Sequence, residues 1–535
     1  MNWLLVLFSG LLMSACFPPF SCYPAVMLAL VPLLGALWGK EWHSACRMGF
    51  LAGIVHFGTL LWWISPTISQ YGNLPGWVAW PVFGLLVCYL AVFPAIWSGL
   101  VGYWTAGRSR PLSSLALAGT WTLLEWARGH ALSGFPWGYL AYTLEPVTSL
   151  IQTAEIWGPY GLTFLIVLLN VLIWEFCKCF FNGSTKDSVF SRNKRVRLAQ
   201  LGLFLVCILG LWFFGKWRME EIALNDDRLP ELRVAAIQGA VSQDKKWDPA
   251  FQDATLRTYV KLSLKAVEGL DNLKVKSQNG ANKSDRLIVW PETAIPFYFQ
   301  VPGPLGEKVR SVAGDLDVAL LFGSPAYRIN TSGNAEYLNS VYLLDPNGDL
   351  AGRYDKRHLV PFGEYLPWGW VTAWAHGLIP AVGQFSPGIT PDPLCWRDLH
   401  VGVLICFESI FPCLSRETVL EGANFLAILT NDAWFGRTGA PYQHEIMAKF
   451  RAVETRRWIV RAANTGVSSL ISPCGVRTAT TSLFEPCSIE GRIHLRKGHT
   501  FYVKYGEIWL LLFCLFWAAV PFWRKAPKEV CNEYN

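Results

Sequence analysis

Three residues with reactive side chains each follow a run that is typical of a strand. Glu292 comes directly after "LIVWP", Lys356 after "LAGRYD" and Cys406 after "VGVLI". In α/β domains, functional residues tend to lie just past the ends of strands. The sequence therefore predicts that a carboxylate, an ammonium and a thiol occur at strand exits of one domain.

These three groups together could carry out acyl transfer through a cysteine. A thiol becomes an effective nucleophile when a cation lowers its pKa and a base takes its proton, and Lys356 and Glu292 could fill those roles. Attack on an acyl carbonyl creates an oxyanion, which a fixed ammonium and a backbone N–H stabilise. Each residue alone also has an ordinary interpretation: Glu292 as a solvated or capping carboxylate, Lys356 as surface charge, and Cys406 as core filler.

The elements that would position these residues lie between residues 217 and 504. Strands are predicted at "LRVAAIQGAV", "RLIVWPET", "VALLFGSPAY", "NSVYLLDPNG", "LHVGVLICFE", "NFLAILTNDAW" and "GVSSLISPCG". Helices are predicted at "AFQDATLRTYVKLSLKAVEGL", "LGEKVRSVAGDL" and "QHEIMAKFRAVETRRWIVRAAN". Strands buried on both faces that alternate with helices predict a layered α/β domain. Glu408 is expected to continue the strand direction of Cys406 and to share its face.

The composition indicates a membrane component. Of 535 residues, 16% are charged and 52% are hydrophobic, with 27 tryptophans, whereas soluble domains contain about 25% charged residues. Eight apolar stretches are long enough to be candidate spans: "MNWLLVLFSGLLMSACF", "YPAVMLALVPLLGALWG", "MGFLAGIVHFGTLLWWI", "VAWPVFGLLVCYLAVFPAIWSGL", "LSSLALAGTWTLLEWA", "LTFLIVLLNVLIWEFCKCF", "LAQLGLFLVCILGLWFF" and "IWLLLFCLFWAAVPFW". The first lacks a preceding basic residue and a small-residue cleavage site, so we interpret it as a retained helix.

The distribution of basic residues predicts the orientation of these spans. With a cytoplasmic N-terminus, the inner loops and tail would hold most of the cations, whereas the short outer loops would hold essentially Arg128. The predicted organisation is a membrane domain of seven transmembrane helices at residues 1–216 and an extracytoplasmic catalytic domain at 217–504. An eighth transmembrane helix and a cytoplasmic tail would follow at 505–535.

Other classes of function are disfavoured by the sequence. The cations concentrate in the cytoplasmic loops and form no basic and aromatic cluster, so no nucleic-acid partner is expected. No C-x-x-C pair or histidine pair has zinc-site spacing, so no metal and no cofactor are expected. Most of the 14 cysteines lie in or beside spans, so they do not form a disulfide framework; Cys413 is expected to pack in a helix.

The motifs around the three reactive residues resemble those of the nitrilase superfamily. They are "WPETAIP", "YDKRHLVPFGEYLP" and "GVLICFESIFP". That superfamily is built as an α-β-β-α sandwich with a Glu-Lys-Cys triad. With the eight spans, "TNDAWFG" and "RRWIVRAANTG", the resemblance narrows to the apolipoprotein N-acyltransferase family of bacterial membrane enzymes. It implies a nitrilase-like α/β sandwich inserted between transmembrane helices seven and eight of an eight-helix membrane domain.

The resemblance also implies roles for individual residues. Glu292 would be the general base, Lys356 the oxyanion-stabilising cation and Cys406 the acyl-carrying nucleophile. Glu364 and Glu408 match acidic positions that support the site in this family. Trp247 and Trp137 match tryptophans of the family and are expected to bind substrate. Phe407 departs from the family, since relatives often carry tyrosine there, and its ring cannot donate a hydrogen bond.

An aromatic segment separates Lys356 from the strand that ends at Cys406. It contains Trp368, Trp370 and Trp374 with little charge, so it could enter the bilayer interface as a lid and contact substrate, or it could pack on its own domain.

Three functions remain open, and the first is the one that the resemblance implies. The first is an N-acyltransferase that moves an acyl chain from a phospholipid to the α-amino group of a diacylglyceryl-modified apolipoprotein, completing lipoprotein maturation. The second is a membrane-tethered amidase or nitrilase-like hydrolase, and the third is a non-enzymatic transport or assembly protein. The resemblance favours the first function, in a monomer in the bacterial inner membrane with its catalytic domain on the periplasmic side.

Overall fold

The computed structural model describes residues 2–72, 74–105, 114–181, 188–226, 228–273, 286–367 and 385–523. The helices before the first strand are α1 Asn2–Ala15, α2 Val31–Leu37, α3 Trp42–Leu60, α4 Ile64–Tyr71, α5 Gly76–Thr105, α6 Ser114–Arg128, α7 Thr148–Ile151, α8 Ala154–Phe181 and α9 Ser188–Asp226. The later helices are α10 Gln243–Lys246, α11 Gln252–Asn272, α12 Pro304–Leu316, α13 Pro412–Leu420, α14 Ala440–Thr455, α15 Phe501–Tyr505 and α16 Ile508–Trp523.

A helix occupies each of the eight predicted apolar stretches. Within the described residues, three helices are long and apolar enough to cross a membrane: Gly76–Thr105, Ala154–Lys178 and Arg195–Asp226. The helices Trp42–Leu60 and Ile64–Tyr71 meet at a bend of 55°. They are long and apolar enough to cross a membrane only when the two are taken together as one bent span. Shorter apolar helices lie at Asn2–Ala15, Tyr23–Leu37 and Ile508–Pro521. The structure therefore has several apolar helices of membrane-spanning character.

Helix α9 has an apolar surface that other parts of the described chain leave uncovered. Leu203, Leu205, Val206, Leu209 and Phe213 are all exposed along it. A large uncovered apolar surface of this kind is typical of a helix that faces lipid. The helix continues to Asp226 and so passes through the predicted domain boundary at residue 216.

Two six-stranded sheets follow this helix in the chain. The strands are β1 Glu231–Gln238, β2 Arg286–Val289, β3 Ala319–Ile329, β4 Ala335–Leu344, β5 Leu350–Asp355, β6 Leu394–Trp396, β7 Leu399–Ile405, β8 Phe425–Thr430, β9 Ile459–Ala463, β10 Ser469–Ile471, β11 Arg477–Thr480 and β12 Cys487–His494. Their order is β12-β1-β2-β3-β4-β5 in one sheet and β11-β10-β9-β8-β7-β6 in the other. Each sheet has three parallel strands at its centre, β1-β2-β3 and β7-β8-β9, and antiparallel strands at its edges.

The two sheets pack face to face, with helices on both outer faces. Side chains of both sheets share one apolar core, which includes Val234, Val289, Val403, Ala427 and Val460. Helices α11 and α12 cover the first sheet. Helices α13 and α14 cover the second sheet and share a core with the membrane-type helices. The predicted α-β-β-α sandwich is confirmed, and strands buried on both faces explain why their sequences are continuously apolar.

One predicted helix is wrong in its second half. The segment "QHEIMAKFRAVETRRWIVRAAN" is helical only up to Thr455, and Arg456 adopts a left-handed conformation with φ of 51°. The residues Ile459–Ala463 then form β9, which pairs with β8 and β10. The β-branched pair Ile459 and Val460 favours a strand, and the sheet supplies backbone partners that outweigh the helical pattern.

Polar contacts join the sandwich to the helices of the N-terminal half. The Arg456 guanidinium donates to Glu155 of α8 at 2.7 Å, and Arg218 of α9 donates to the same carboxylate at 2.8 Å. The Gln443 side-chain amide donates to the Pro18 carbonyl at 2.7 Å. Since Glu155 and Arg456 are buried at this contact, the sandwich is held in a defined orientation on the helices.

Candidate active site

The three residues predicted at strand exits lie together in the structure. Glu292 follows β2, Lys356 follows β5 and Cys406 follows β7, so the two sheets contribute to one site. The Lys356 Nζ atom is 3.9 Å from Glu292 Oε1, and the Cys406 thiol interacts electrostatically with both. The residues are 6%, 1% and 8% exposed respectively, so their charges act in a site largely without water.

Cys406 occupies a sharp turn at the end of its strand. Its φ of 50° is in the left-handed region, and a short 3₁₀ helix, Cys406–Ile410, begins there. Burial raises the pKa of the Cys406 thiol well above its usual value, the Glu292 carboxylate raises it further, and Lys356 opposes them. The resting thiol is therefore protonated, and attack on a substrate requires a base that receives its proton.

Two asparagines hold the Glu292 carboxylate in place. The Asn339 side-chain amide donates to Oε1 at 2.8 Å, and the Asn431 backbone N–H donates to Oε2 at 2.8 Å. These donors fix the direction of the carboxylate toward Lys356 and Cys406. Sequence reasoning assigned no role to either asparagine. Asn431 lies in "TNDAWFG", one of the motifs that carry the family resemblance, whereas Asn339 lies in none of them.

Lys356 is paired with a second carboxylate. Its ammonium donates to Glu364 Oε1 at 2.7 Å, and the other oxygen of Glu364 accepts the Val360 N–H at 2.8 Å. Burial would lower the pKa of Lys356, but Glu364 and Glu292 raise it above its usual value. Lys356 is therefore a permanent cation, and Glu364 lies where the sequence comparison placed a supporting acid.

The expectation that Glu408 continues the strand beside Cys406 is wrong. The chain turns into the 3₁₀ helix at Cys406, and Glu408 is fully buried behind the turn. Its carboxylate accepts the backbone N–H groups of Ile405 at 2.7 Å, Arg357 at 2.7 Å and His358 at 3.1 Å. Glu408 thus ties the turn that carries Cys406 to the loop that follows Lys356.

A polar cluster lies behind the nucleophile and was not predicted. His444 Nε2 is 3.2 Å from the Cys406 carbonyl oxygen and 2.8 Å from Ser409 Oγ. Its Nδ1 is 3.0 Å from Asp432, whose other oxygen accepts from Arg461 at 2.7 Å. Burial would raise the pKa of Asp432, but Arg461 and His444 hold it at about 2. The cluster fixes the Cys406 backbone through charged and fully buried partners.

The predicted tryptophans are in three different situations. Trp137 is buried, its ring stacks on His444 with centroids 5.7 Å apart, and its indole N–H donates to Gln443 at 2.8 Å. Trp247 is 49% exposed. Trp368, Trp370 and Trp374 lie outside the described residues.

Phe407 packs against aromatic neighbours beside the site. Its ring centroid is 5.9 Å from that of His358 and 5.1 Å from that of Phe411. Phe407 therefore contributes apolar contact next to the nucleophile. These ring contacts form without the hydroxyl that a tyrosine would carry at this position.

An α-β-β-α sandwich with a carboxylate, an ammonium and a thiol at converging strand ends defines the class of carbon-nitrogen hydrolases. Residues 233–495 match the family described as carbon-nitrogen hydrolase, and residues 9–172 match the apolipoprotein N-acyltransferase N-terminal domain. The chain is 38% identical over 508 residues to an apolipoprotein N-acyltransferase of Geobacter metallireducens, covering 95% of this chain and 92% of the relative. A relative of the same name from Methylococcus capsulatus is 32% identical over 94% of this chain and 92% of its own length.

The chain therefore belongs to the apolipoprotein N-acyltransferase family. The family membership and the N-acyltransferase class predicted from the sequence are both confirmed. Among solved structures, an amidase of Nesterenkonia from the nitrilase superfamily is 20% identical with a TM-score of 0.37, over 52% of this chain and 96% of that chain. A carbon-nitrogen hydrolase of Helicobacter pylori is 16% identical with a TM-score of 0.36, over 53% of this chain and 94% of that chain.

Proposed function

We propose that the protein moves a fatty acyl chain from a phospholipid, through a thioester on Cys406, to the α-amino group of the diacylglyceryl-modified cysteine of apolipoproteins. The observation that carries this proposal is the burial of Glu292, Lys356 and Cys406 in one site. A thioester persists only where water is kept from an activated position, and a buried site supplies that condition.

In the first half-reaction Cys406 replaces the lysophospholipid. Glu292 takes the thiol proton as the sulfur attacks the ester carbonyl, and Lys356 stabilises the oxyanion that forms. The C–S bond is already present in this tetrahedral intermediate, which collapses by breaking the ester C–O bond. Glu292 returns the proton to the leaving oxygen, and the lysophospholipid departs.

In the second half-reaction an amine replaces the sulfur. Glu292 deprotonates the incoming α-ammonium, and the neutral amine attacks the thioester carbonyl beside Lys356. As the N–C bond forms and the C–S bond breaks, Glu292 gives the first proton to the departing sulfur, so Cys406 becomes a thiol again. Glu292 then takes the second proton from the nitrogen and releases it to solvent. The product is an amide, and the two half-reactions share one base and one oxyanion site.

The apolar helices and the loop charges support a proposed position of the site relative to the bilayer. The proposed arrangement has eight spans, with residues 1–216 as the membrane domain, 217–504 outside the cytoplasm and 505–535 as the last span and a cytoplasmic tail. Such a monomer in the bacterial inner membrane would receive acyl chains laterally from the lipid. Exposed Trp247 and the segment of Trp368, Trp370 and Trp374 are proposed to contact these lipid substrates.

A matched pair of acceptors tests this function against hydrolysis. Purified protein is given phospholipid with a diacylated lipopeptide that has a free N-terminus, or with the same lipopeptide N-acetylated. The expected products are N-acylated lipopeptide in the first case and none in the second. Continuous release of free fatty acid without an amine, at the rate of the amine-supplied reaction, would instead establish a hydrolase.

Cysteine variants provide the control for this experiment. Cys406→Ala is expected to abolish product, whereas Cys413→Ala is expected to retain it, since Cys413 packs in the apolar core around α13. Loss of activity in both variants would point to a general effect of cysteine replacement. The experiment would then no longer support Cys406 as the nucleophile.

A further inference from the structure

A second buried lysine points into the active site and has no role in the mechanism above. Lys246 is only 1% exposed, and its ammonium donates to the backbone carbonyl of Glu292 at 3.0 Å. The groups that face this ammonium are Glu292, at the exit of β2, and Cys406, at the exit of β7. A buried ammonium is costly unless it is paired, so its position against these groups requires an explanation.

The backbone that Lys246 holds is conformationally strained. Thr293, directly after Glu292, has a φ of 48°, which a β-branched residue rarely adopts. The donated hydrogen bond fixes the carbonyl of the peptide that joins Glu292 to Thr293. Lys246 therefore helps to hold the turn that aims the Glu292 carboxylate.

The segment that carries Lys246 contacts the site at a second point. Gln243, at the other end of α10, accepts a hydrogen bond from the Asn431 side chain at 2.7 Å, and the Asn431 backbone N–H donates to Glu292. Trp247 follows directly and is half-exposed. One short helix thus connects the Glu292 turn with the surface beside the site.

We propose that Lys246 is a positioning residue of this site, which holds the Glu292 turn and places a second positive charge that favours the anionic form of Cys406. The proposal rests on Cys406 being the nucleophile of the function proposed above. Lys246 and Lys356 would then have different partners, since Lys356 pairs with Glu364 whereas Lys246 is held by a neutral carbonyl.

The charge on Lys246 is expected to depend on pH. Burial lowers the pKa of Lys246 to about 8, although Glu292 and Cys406 oppose this. Lys246 is therefore a cation below about pH 8 and becomes neutral above it. Its assistance to the thiolate must be largest at neutral pH and must fade as the solution becomes alkaline.

Alkylation of Cys406 in the full-length protein tests this proposal without any acyl substrate. The rate of modification by iodoacetamide is followed at the Cys406 peptide by mass spectrometry, between pH 6.5 and 9.5, for the wild type, Lys246→Met and the exposed-lysine control Lys261→Met. A nearby positive charge lowers the pKa of a thiol by about one unit or more. Cys406 of Lys246→Met should therefore react about tenfold more slowly than Cys406 of the wild type at pH 7. The difference should disappear above pH 9, and Lys261→Met should match the wild type.

A purely structural role for Lys246 predicts a different pattern. The ratio of the wild-type rate to the Lys246→Met rate would then be the same at every pH, which would overturn the proposal. If Lys246→Met does not fold, the wild-type profile alone decides: its rise with pH should flatten near pH 8, where Lys246 loses its charge. A steady tenfold rise per pH unit through that region would also overturn the proposal.

Acyl loading separates this inference from the proposed function. Lys246→Met should lower the maximal rate of loading by phospholipid and leave the half-saturating phospholipid concentration unchanged. If the alkylation pattern is as expected but no acyl chain is ever loaded on wild-type Cys406, the proposed function fails and the role of Lys246 in thiol reactivity stands. If loading is normal but the alkylation ratio does not change with pH, only the Lys246 proposal fails.

Discussion

At the scale of single residues, the site is a row of charges of alternating sign, in which Glu292 and Lys356 are buried and Glu364 is partly buried. Glu364, Lys356 and Glu292 follow one another, with Lys356 Nζ 2.7 Å from Glu364 and 3.9 Å from Glu292. Burying any one of these charges alone would cost several kcal/mol, and each neighbour offsets part of that cost. The arrangement keeps Lys356 positive, which is the state that the proposed chemistry requires of it.

Removal of the Lys356 charge should therefore slow the chemistry strongly and should also destabilise the site, because Glu364 and Glu292 would lose their shared partner. Lys356→Met is expected to slow acyl loading of Cys406 on the order of 100-fold or more, because the oxyanion loses its cation. Lys308→Met, at a 57% exposed side chain paired with Asp253, provides the matched control and should load normally. Loading rates from quenched time courses measure this, and a near-normal rate for Lys356→Met would contradict the role of Lys356.

The identities of the reactive residues could be predicted from the sequence, but their supports could not. Glu292, Lys356 and Cys406 each follow a strand-like run, and a local pattern is sufficient to find such positions. Asn339 and Lys246 reach the site from a strand and a helix that are distant in the chain. Glu408 was placed on the wrong face because the left-handed turn at Cys406 gives no sequence signal in a non-glycine residue.

At the scale of elements, the Glu292 turn depends on how closely β3 approaches it. A Cβ atom built on Gly323 would lie 2.4 Å from the Thr293 nitrogen and 2.8 Å from the Glu292 Cα atom. The Gly323 N–H also donates to the Pro291 carbonyl at 3.3 Å. A side chain at this position must displace the turn that carries the base.

Gly323→Ala is expected to slow acyl loading by about ten- to hundredfold, because a shift of about 1 Å in a catalytic group has an effect of this size. Gly314→Ala is the matched control, since a Cβ there meets nothing within 4 Å and the residue lies in helix α12. That change should leave loading unaltered and should stabilise the fold by about 0.5–1 kcal/mol. Equal loading rates for the two variants would show that the close approach of β3 does not position Glu292.

The elements themselves were predictable where one pattern dominated. Apart from β9, the buried strands have continuous apolar runs and the helices α11 and α12 have clear periodicity, and these elements were found at their predicted places. The strands β6, β11 and β12 were missed because they are short or half-exposed edge strands, which lack a continuous apolar run. Strand β9 was assigned to a helix because its pairing with β8 and β10 is not visible in the local sequence.

At the scale of the whole molecule, the sandwich and the apolar helices act as one unit. Trp137, from the segment between α6 and α8, stacks on His444, which in turn contacts the Cys406 carbonyl oxygen. The site is therefore built against the helices that would lie in the membrane. This arrangement would let an acyl chain reach Cys406 from the lipid while the polar groups stay in the sandwich.

The proposed orientation can be checked with a native cysteine. Cys395 is exposed on β6, at the edge of the second sheet. A membrane-impermeant maleimide should label it in intact spheroplasts, and Cys395→Ser should lose that label, because the sandwich is proposed to lie outside the cytoplasm. Labelling that appears only after the membrane is opened would place the domain on the cytoplasmic side.

The most direct test of the central claim is the intact mass of the purified protein after incubation with phospholipid alone. Covalent catalysis through Cys406 predicts that the mass rises by one acyl group and that one equivalent of lysophospholipid is released, after which the reaction stops. Hydroxylamine should remove the added mass, peptide mapping should place it on Cys406, and Cys406→Ala should show no addition. An unchanged mass with normal transfer to a lipopeptide, or an acyl group on a different cysteine, would contradict the account.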